Sequence, residues 1–117
     1  MLRSFELRDG NLGDRKAGTL TYDTAARRFA MTISGNIPAD DLPLSLECFT
    51  VQGKYELTHE DSLRWLRGRI CPPGRHNIRE ILRDNGLEEY DEFGLLMITK
   101  GKCGKDELYL VEQVHTT

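Results

Sequence analysis

The segment Phe29-Ala30-Met31-Thr32-Ile33 places its large apolar side chains at every second position. Successive side chains of a β-strand point to opposite faces of the sheet. The spacing therefore predicts a strand whose phenylalanine, methionine and isoleucine share one buried face, while the polar side chains of the other face are exposed.

Further strands are predicted on both sides of this segment. Residues 5–8 alternate in polarity and are followed by a turn-rich break at 9–14, and residues 17–22 offer two alternating faces. The first three strands therefore read as a β-meander. A glycine-rich turn at 101–106 leads into a last predicted strand at 107–112, which we expect to pair with the meander.

The middle of the chain combines one extended segment with helices. Apolar residues at 42, 44, 46 and 48 favour an extended conformation there. Thr58 is placed to accept a hydrogen bond from the backbone N–H of Asp61, and Asp91 is placed to cap a later helix. Helices are expected at about 58–70, 75–85 and 91–100.

These elements predict one α+β domain over residues 1–117, with a small antiparallel sheet covered by about three helices. The strand face of Phe29, Met31 and Ile33 should meet apolar side chains from the helices in a single core. The helical core residues are expected to be Leu63, Leu66, Ile78, Ile81, Leu82, Phe93 and Leu96.

Composition excludes several classes of protein. The 117 residues include 16 Lys+Arg and 19 Asp+Glu, a net charge of −3, which argues against a general nucleic-acid binder. The sequence offers no signal peptide and no apolar run long enough to span a bilayer, so no membrane association is expected. The 3 cysteines are too few and too widely spaced for a disulfide framework, which indicates reduced thiols in a cytoplasmic protein.

Catalytic and metal-binding motifs are weak. The segment Gly101-Lys102-Cys103-Gly104-Lys105 is too short for a phosphate loop and lacks the following Ser or Thr. The histidines have no ligand spacing: His59, His76 and His115. We therefore predict no catalytic residue, no metal and no cofactor. A small enzyme that uses Cys71 or Cys103 as a nucleophile is the least favoured alternative.

Arginines give the strongest surface signal. Arg75, Arg79 and Arg83 recur every fourth residue, so on a helix they share one face and repel each other by a few tenths of a kcal/mol per pair. Two interpretations remain open. The face is solvated and relieved by the acids at 88–92, or it docks an acidic partner. The expected partner-binding residues are Arg67, Pro72, Pro73, Arg75, Arg79 and Arg83.

Short motifs resemble the N-terminal subdomain of HipA-family kinases over about residues 17–111. They are Leu44-Ser45-Leu46, a helix that ends in Arg69-Ile70-Cys71-Pro72-Pro73, and Asp91-x-Phe93-x-Leu95-Leu96 before Gly101. Two positions depart from the family pattern. Pro73-Gly74 replaces the acid that follows the helix-ending proline, and Glu47 replaces a proline.

The length of the chain leaves no room for the kinase core that carries the catalytic and metal-binding aspartates. The chain is therefore similar to the small HipS-type subunit of split HipA toxin–antitoxin systems. This resemblance implies a non-enzymatic antitoxin that binds a separate HipA-like serine/threonine kinase lacking its own N-terminal subdomain. The alternative from the residues is a small DNA- or phosphate-associated regulator that uses the arginine face.

Overall fold

The computed structural model describes residues 2–70, 73–104 and 106–113, and it has an α+β fold. A five-stranded antiparallel sheet has the strand order β4-β3-β2-β1-β5. The strands are β1 (Leu2–Asp9), β2 (Arg15–Asp23), β3 (Arg28–Ile33), β4 (Glu56–Leu57) and β5 (Leu108–Gln113). The helices are α1 (Leu44–Thr50), α2 (His59–Arg67), α3 (Ile78–Asp84) and α4 (Glu92–Thr99).

The sheet is the predicted meander with the C-terminal strand added. Strands β1, β2 and β3 pair in sequence order, and β5 lies on the far side of β1, with Leu7 opposite Leu110. The two-residue strand β4 was not predicted. It pairs with β3 through Leu57 opposite Met31, so it covers only part of that edge.

One face of the sheet is buried, as the alternation in β3 predicted. Phe29, Met31 and Ile33 are all buried, whereas Arg28 and Thr32 are exposed. Side chains from the helices complete the same core. All seven predicted helical core residues contribute: five are buried, and Ile78 and Ile81 pack against the core half-buried.

Stacked aromatic rings mark the centre of this core. The Phe93 ring of α4 lies face to face with Tyr22 of β2, with centroids 4.1 Å apart and planes at 8°. Phe5 and Phe29 tilt against the same Phe93 ring. Because these contacts join β1, β2 and β3 to α4, the last helix is fixed directly on the meander.

The expected extended segment at 42–49 is wrong, since residues 44–50 form the helix α1. The alternating apolar residues do not share one buried face. The buried residues are Leu46, Phe49 and Thr50, which stand at helical spacing, whereas Leu44 is 80% exposed. Pro43 stands immediately before the helix with φ −63°, and proline's fixed φ is tolerated at this end of a helix.

Predicted caps hold the ends of two helices. The Thr58 side chain accepts from the backbone N–H of Asp61 at 3.2 Å and starts α2, and Asp91 accepts from Phe93 N at 3.1 Å and starts α4. In α4, Phe93, Leu95 and Leu96 are buried, whereas Ile98 is 45% exposed. Helix α2 ends at Arg67, before the predicted end at 70.

Candidate functional site

Helix α3 carries the arginines of the predicted partner surface. Arg79 and Arg83 are exposed and four residues apart, while Leu82 anchors the opposite side of the helix in the core. Within the described part of the chain, neither arginine has an ion-pair or hydrogen-bond partner. The two acids of the same helix, Glu80 and Asp84, therefore form no direct ion pair with either arginine.

The predicted three-arginine face is wrong in one respect, because α3 begins at Ile78 and not at residue 75. Arg75 lies in the preceding turn, where its carbonyl accepts from Ile78 N at 3.1 Å. The first helical bond of α3 runs from Ile81 N to the carbonyl of Asn77, so Asn77 stands at the N-cap, a position that Asn favours. Arg75 is exposed but has an interaction of its own, so two arginines share the helical face.

Arg67 and the prolines complete the predicted set. The Arg67 side chain is 61% exposed at the end of α2, and its Nε donates to Glu92 Oε2 at 3.0 Å. One acid of the 88–92 segment thus compensates Arg67 of α2 and not the arginines of α3. Pro73 is exposed in the turn before α3, whereas Pro72 lies outside the described residues, as do Cys71 and His115.

A buried polar cluster was missed by sequence reasoning. The Arg69 side chain is 2% exposed and donates to Asp106 in a buried ion pair. Its second guanidinium nitrogen donates to the Gly101 carbonyl at 2.7 Å, and the guanidinium also lies 4.4 Å from the Trp65 ring centroid. Ser45 Oγ donates to Asp106 at 2.8 Å. The cluster thus joins α1, the end of α2 and the glycine-rich turn.

Hydrogen bonds lower the pKa of Asp106 below its ordinary value of 3.8. Burial by itself raises this pKa, but the bonds from Arg69, Ser45 and the backbone N–H of Leu108 stabilise the carboxylate and outweigh it. Asp106 is therefore ionised at neutral pH and neutralises Arg69. The pair consequently acts as a structural tie, not as a free charge available to a ligand.

An open cavity of about 210 Å³ adjoins this cluster. Cys48 of α1 and Cys103 of the glycine-rich turn both line it, beside Phe49, Trp65 and Arg64. No histidine is among the described residues that line it, and its one carboxylate, Asp106, is engaged by Arg69 and Ser45. The Nε1 of Trp65 and the Nε of Arg69 have no hydrogen-bond partner among the described residues.

The described residues gather no set of three or more His, Cys, Asp or Glu side chains that could hold a metal ion. Across the same residues, no helix is both long enough and apolar enough to cross a bilayer. His59, one of the candidate ligands, is engaged elsewhere: its Nδ1 accepts from the backbone N–H of Phe29.

No protein-family model matches the chain, and no curated protein or solved structure matches it significantly. The kinase-subdomain resemblance therefore stays a prediction from short motifs. In the structure, Leu44-Ser45-Leu46 begins α1, and Asp91 and Phe93 lie at the start of α4.

Proposed function

We propose that this chain is a non-enzymatic protein-binding module that docks on, and restrains, a separate HipA-like serine/threonine kinase lacking its own N-terminal subdomain. The observation that carries the proposal is the pair Arg79 and Arg83, exposed on one face of α3 and unpaired within the described residues. An acidic surface of the partner supplies the compensation that the fold does not.

The contrast with the neighbouring basic residues supports this assignment. Arg67 is paired with Glu92, Arg64 with Asp61, and Arg69 with Asp106. Arg75 has an interaction of its own. Among the described arginines of residues 64–83, this leaves Arg79 and Arg83 of α3 exposed to solvent without an ion-pair partner. The guanidinium groups of this segment that stay available to a partner are thus those of Arg79 and Arg83, although α3 also carries the exposed acids Glu80 and Asp84.

The site chemistry supports a binding role over a catalytic one. The exposed thiol of Cys48 and the half-buried thiol of Cys103 are free, which fits a protein kept in a reducing cytoplasm. The carboxylate in the cavity that both thiols line, Asp106, is already held by Arg69 and Ser45. The free thiols therefore support the cytoplasmic part of the proposal.

The test is binding to a HipA-like kinase core encoded beside this chain's gene, measured by calorimetry with kinase autophosphorylation as the second readout. The variant Arg79→Glu/Arg83→Glu should weaken association at least about tenfold and remove most of its salt dependence. The matched control Arg15→Glu/Lys16→Glu makes the same change in net charge at two other exposed positions and should bind like the parent.

Three results decide the proposal. Equal binding by both charge-reversed variants would show that the α3 arginines are only solvated. Failure of the parent protein to bind the kinase core or to lower its autophosphorylation would overturn the antitoxin assignment. Salt-dependent binding of duplex DNA that Arg79→Glu/Arg83→Glu abolishes would support the alternative regulator instead.

A further inference from the structure

The outward face of α1 carries a line of exposed side chains of low polarity, beside the half-buried Glu47. Leu44 is 80% exposed, Val51 at the end of the helix is 68% exposed, and Cys48 between them is also exposed. These three residues stand at i, i+4 and i+7, so they form one line along the helix, here called the α1 stripe. Leu46 and Phe49 on the opposite side are buried, which fixes the direction in which the stripe points.

The α1 stripe is more than scattered surface hydrophobes. Single exposed apolar residues are ordinary, but aligned ones form a continuous patch. Seven residues of helix rise by roughly 10 Å, about the length of two helical turns of a partner. Cys48 also lines the cavity of about 210 Å³ with Phe49 and Trp65, so a recess for an apolar side chain opens beside the stripe.

Charge distinguishes the two ends of the α1 stripe. At the Leu44 end, a groove of about 950 Å³ is lined by Asp40, Asp41 and Glu107. None of these exposed carboxylates has an ion-pair partner among the residues that the structure describes. Past the Val51 end comes Lys54, whose ammonium group is paired with Asp61 at 3.6 Å. The Leu44 end therefore attracts cations.

We propose that the α1 stripe and the acidic groove together dock an amphipathic basic segment of a partner protein. Two or three apolar side chains at helical spacing lie along the stripe, and Lys or Arg side chains enter the groove at the Leu44 end. This chemistry is opposite to that of α3, whose arginines attract acids. The inference is therefore independent of the kinase proposal and survives its failure.

The direct test uses a synthetic 18-residue peptide with leucines at i, i+3 and i+7 and lysines at one end. A second peptide carries glutamates in place of the lysines. Titrated into ¹⁵N-labelled protein, the lysine peptide should shift the amide signals of residues 40–52. The glutamate peptide should bind at least about tenfold more weakly, because its charges are repelled by the groove.

Variants locate the contact. Leu44→Glu and Val51→Glu should each weaken binding of the lysine peptide about tenfold or more, since each removes a large apolar contact. Both residues are largely exposed, so the fold should remain, as thermal unfolding will show. The matched control Ile98→Glu alters an exposed apolar residue of α4 and should leave binding unchanged. Asp40→Asn/Asp41→Asn should lower the affinity and its salt dependence for the lysine peptide only.

The proposal is overturned if the two peptides bind equally, if the shifted amides lie outside residues 40–52, or if neither stripe variant weakens binding. It is also overturned if the lysine peptide does not bind at all. Self-association of the parent that Leu44→Glu abolishes would assign the stripe to a second copy of this chain and would likewise overturn it.

Discussion

His59 Nδ1 accepts a hydrogen bond from the backbone N–H of Phe29 at 2.9 Å. Strand β4 pairs only with Met31 and Thr32 of β3. The His59 side chain, at the start of α2, therefore binds the backbone N–H of Phe29, which β4 does not reach. The two rings also stack, with centroids 6.0 Å apart and planes at 13°. The His59 side chain thus gives a backbone N–H group at the edge of β3 its hydrogen-bond acceptor and attaches α2 to that strand.

Replacement of His59 should separate these two roles. His59→Leu removes the acceptor and leaves the Phe29 N–H without its partner, which should lower the free energy of unfolding by about 1–2 kcal/mol. His59→Asn places an oxygen near the position of Nδ1 and should recover most of that loss. Urea unfolding at pH 7.5 measures both, and equal losses in the two variants would contradict the hydrogen-bonding role.

Removal of one partner of the buried ion pair should be costly. Arg69→Met leaves Asp106 buried without its cation and the Gly101 carbonyl without its donor, so unfolding should become easier by about 3–5 kcal/mol. Arg69→Met/Asp106→Leu removes both charges and should lose less than Arg69→Met alone. Urea unfolding of the single and double variants measures the coupling, and simple additivity would show that the pair is not a unit.

The lowered pKa of Asp106 predicts an acid-dependent contribution to stability. A carboxylate whose pKa is lower in the folded than in the unfolded state stabilises the fold above its unfolded pKa, and the contribution is lost as pH falls through the folded pKa. The stability difference between the parent and Asp106→Asn should therefore be full at pH 6 and shrink below about pH 4. Urea unfolding at pH values from 6 to well below 4 tests it, and a difference that stays constant over that whole range would argue against an ionised Asp106.

Gly18 lies where two strands approach closely. A Cβ added there would stand 2.2 Å from the backbone carbonyl oxygen of Thr32, which cannot move without disturbing the β2–β3 pairing. Gly18→Ala should therefore lower the free energy of unfolding by about 1–3 kcal/mol. Gly35→Ala is the matched control, because nothing lies within 4 Å of its Cβ position. Similar stabilities for both variants would mean that the strands can separate freely.

Sequence patterns predicted the sheet well because alternation reports directly on a half-buried strand. They failed for α1, because some of the apolar residues at every second position also stand at the three- and four-residue spacing of a helix. Leu46 fits both patterns, whereas Phe49 fits only the helical one, and the burial of both shows that the helical spacing is the one that packs. The exposure of Leu44 could not be predicted from the sequence, because single apolar residues are common on protein surfaces and no local pattern marks them.

Arg69 escaped notice because it looked like one more member of an arginine-rich segment. Its position held a signal: it follows Trp65 by four residues and Leu66 by three, so it continues the buried side of α2. Its partner Asp106 is 37 residues away, and no local pattern joins the two. For the α3 arginines, the spacing predicted the exposed face but not where the helix begins.

Strand β5 pairs with β1 and becomes the edge strand of the sheet. Arg3 and Glu112, which are 109 residues apart, are joined across this pair by two hydrogen bonds of 2.7 Å. During synthesis on the ribosome, the β1 edge stays unpaired until β5 has emerged. A nascent chain halted before residue 108 therefore presents an open strand edge, the kind of surface that recruits other strands. Completion of this fold is thus a late event, coupled to the appearance of its last strand and not to the formation of the meander.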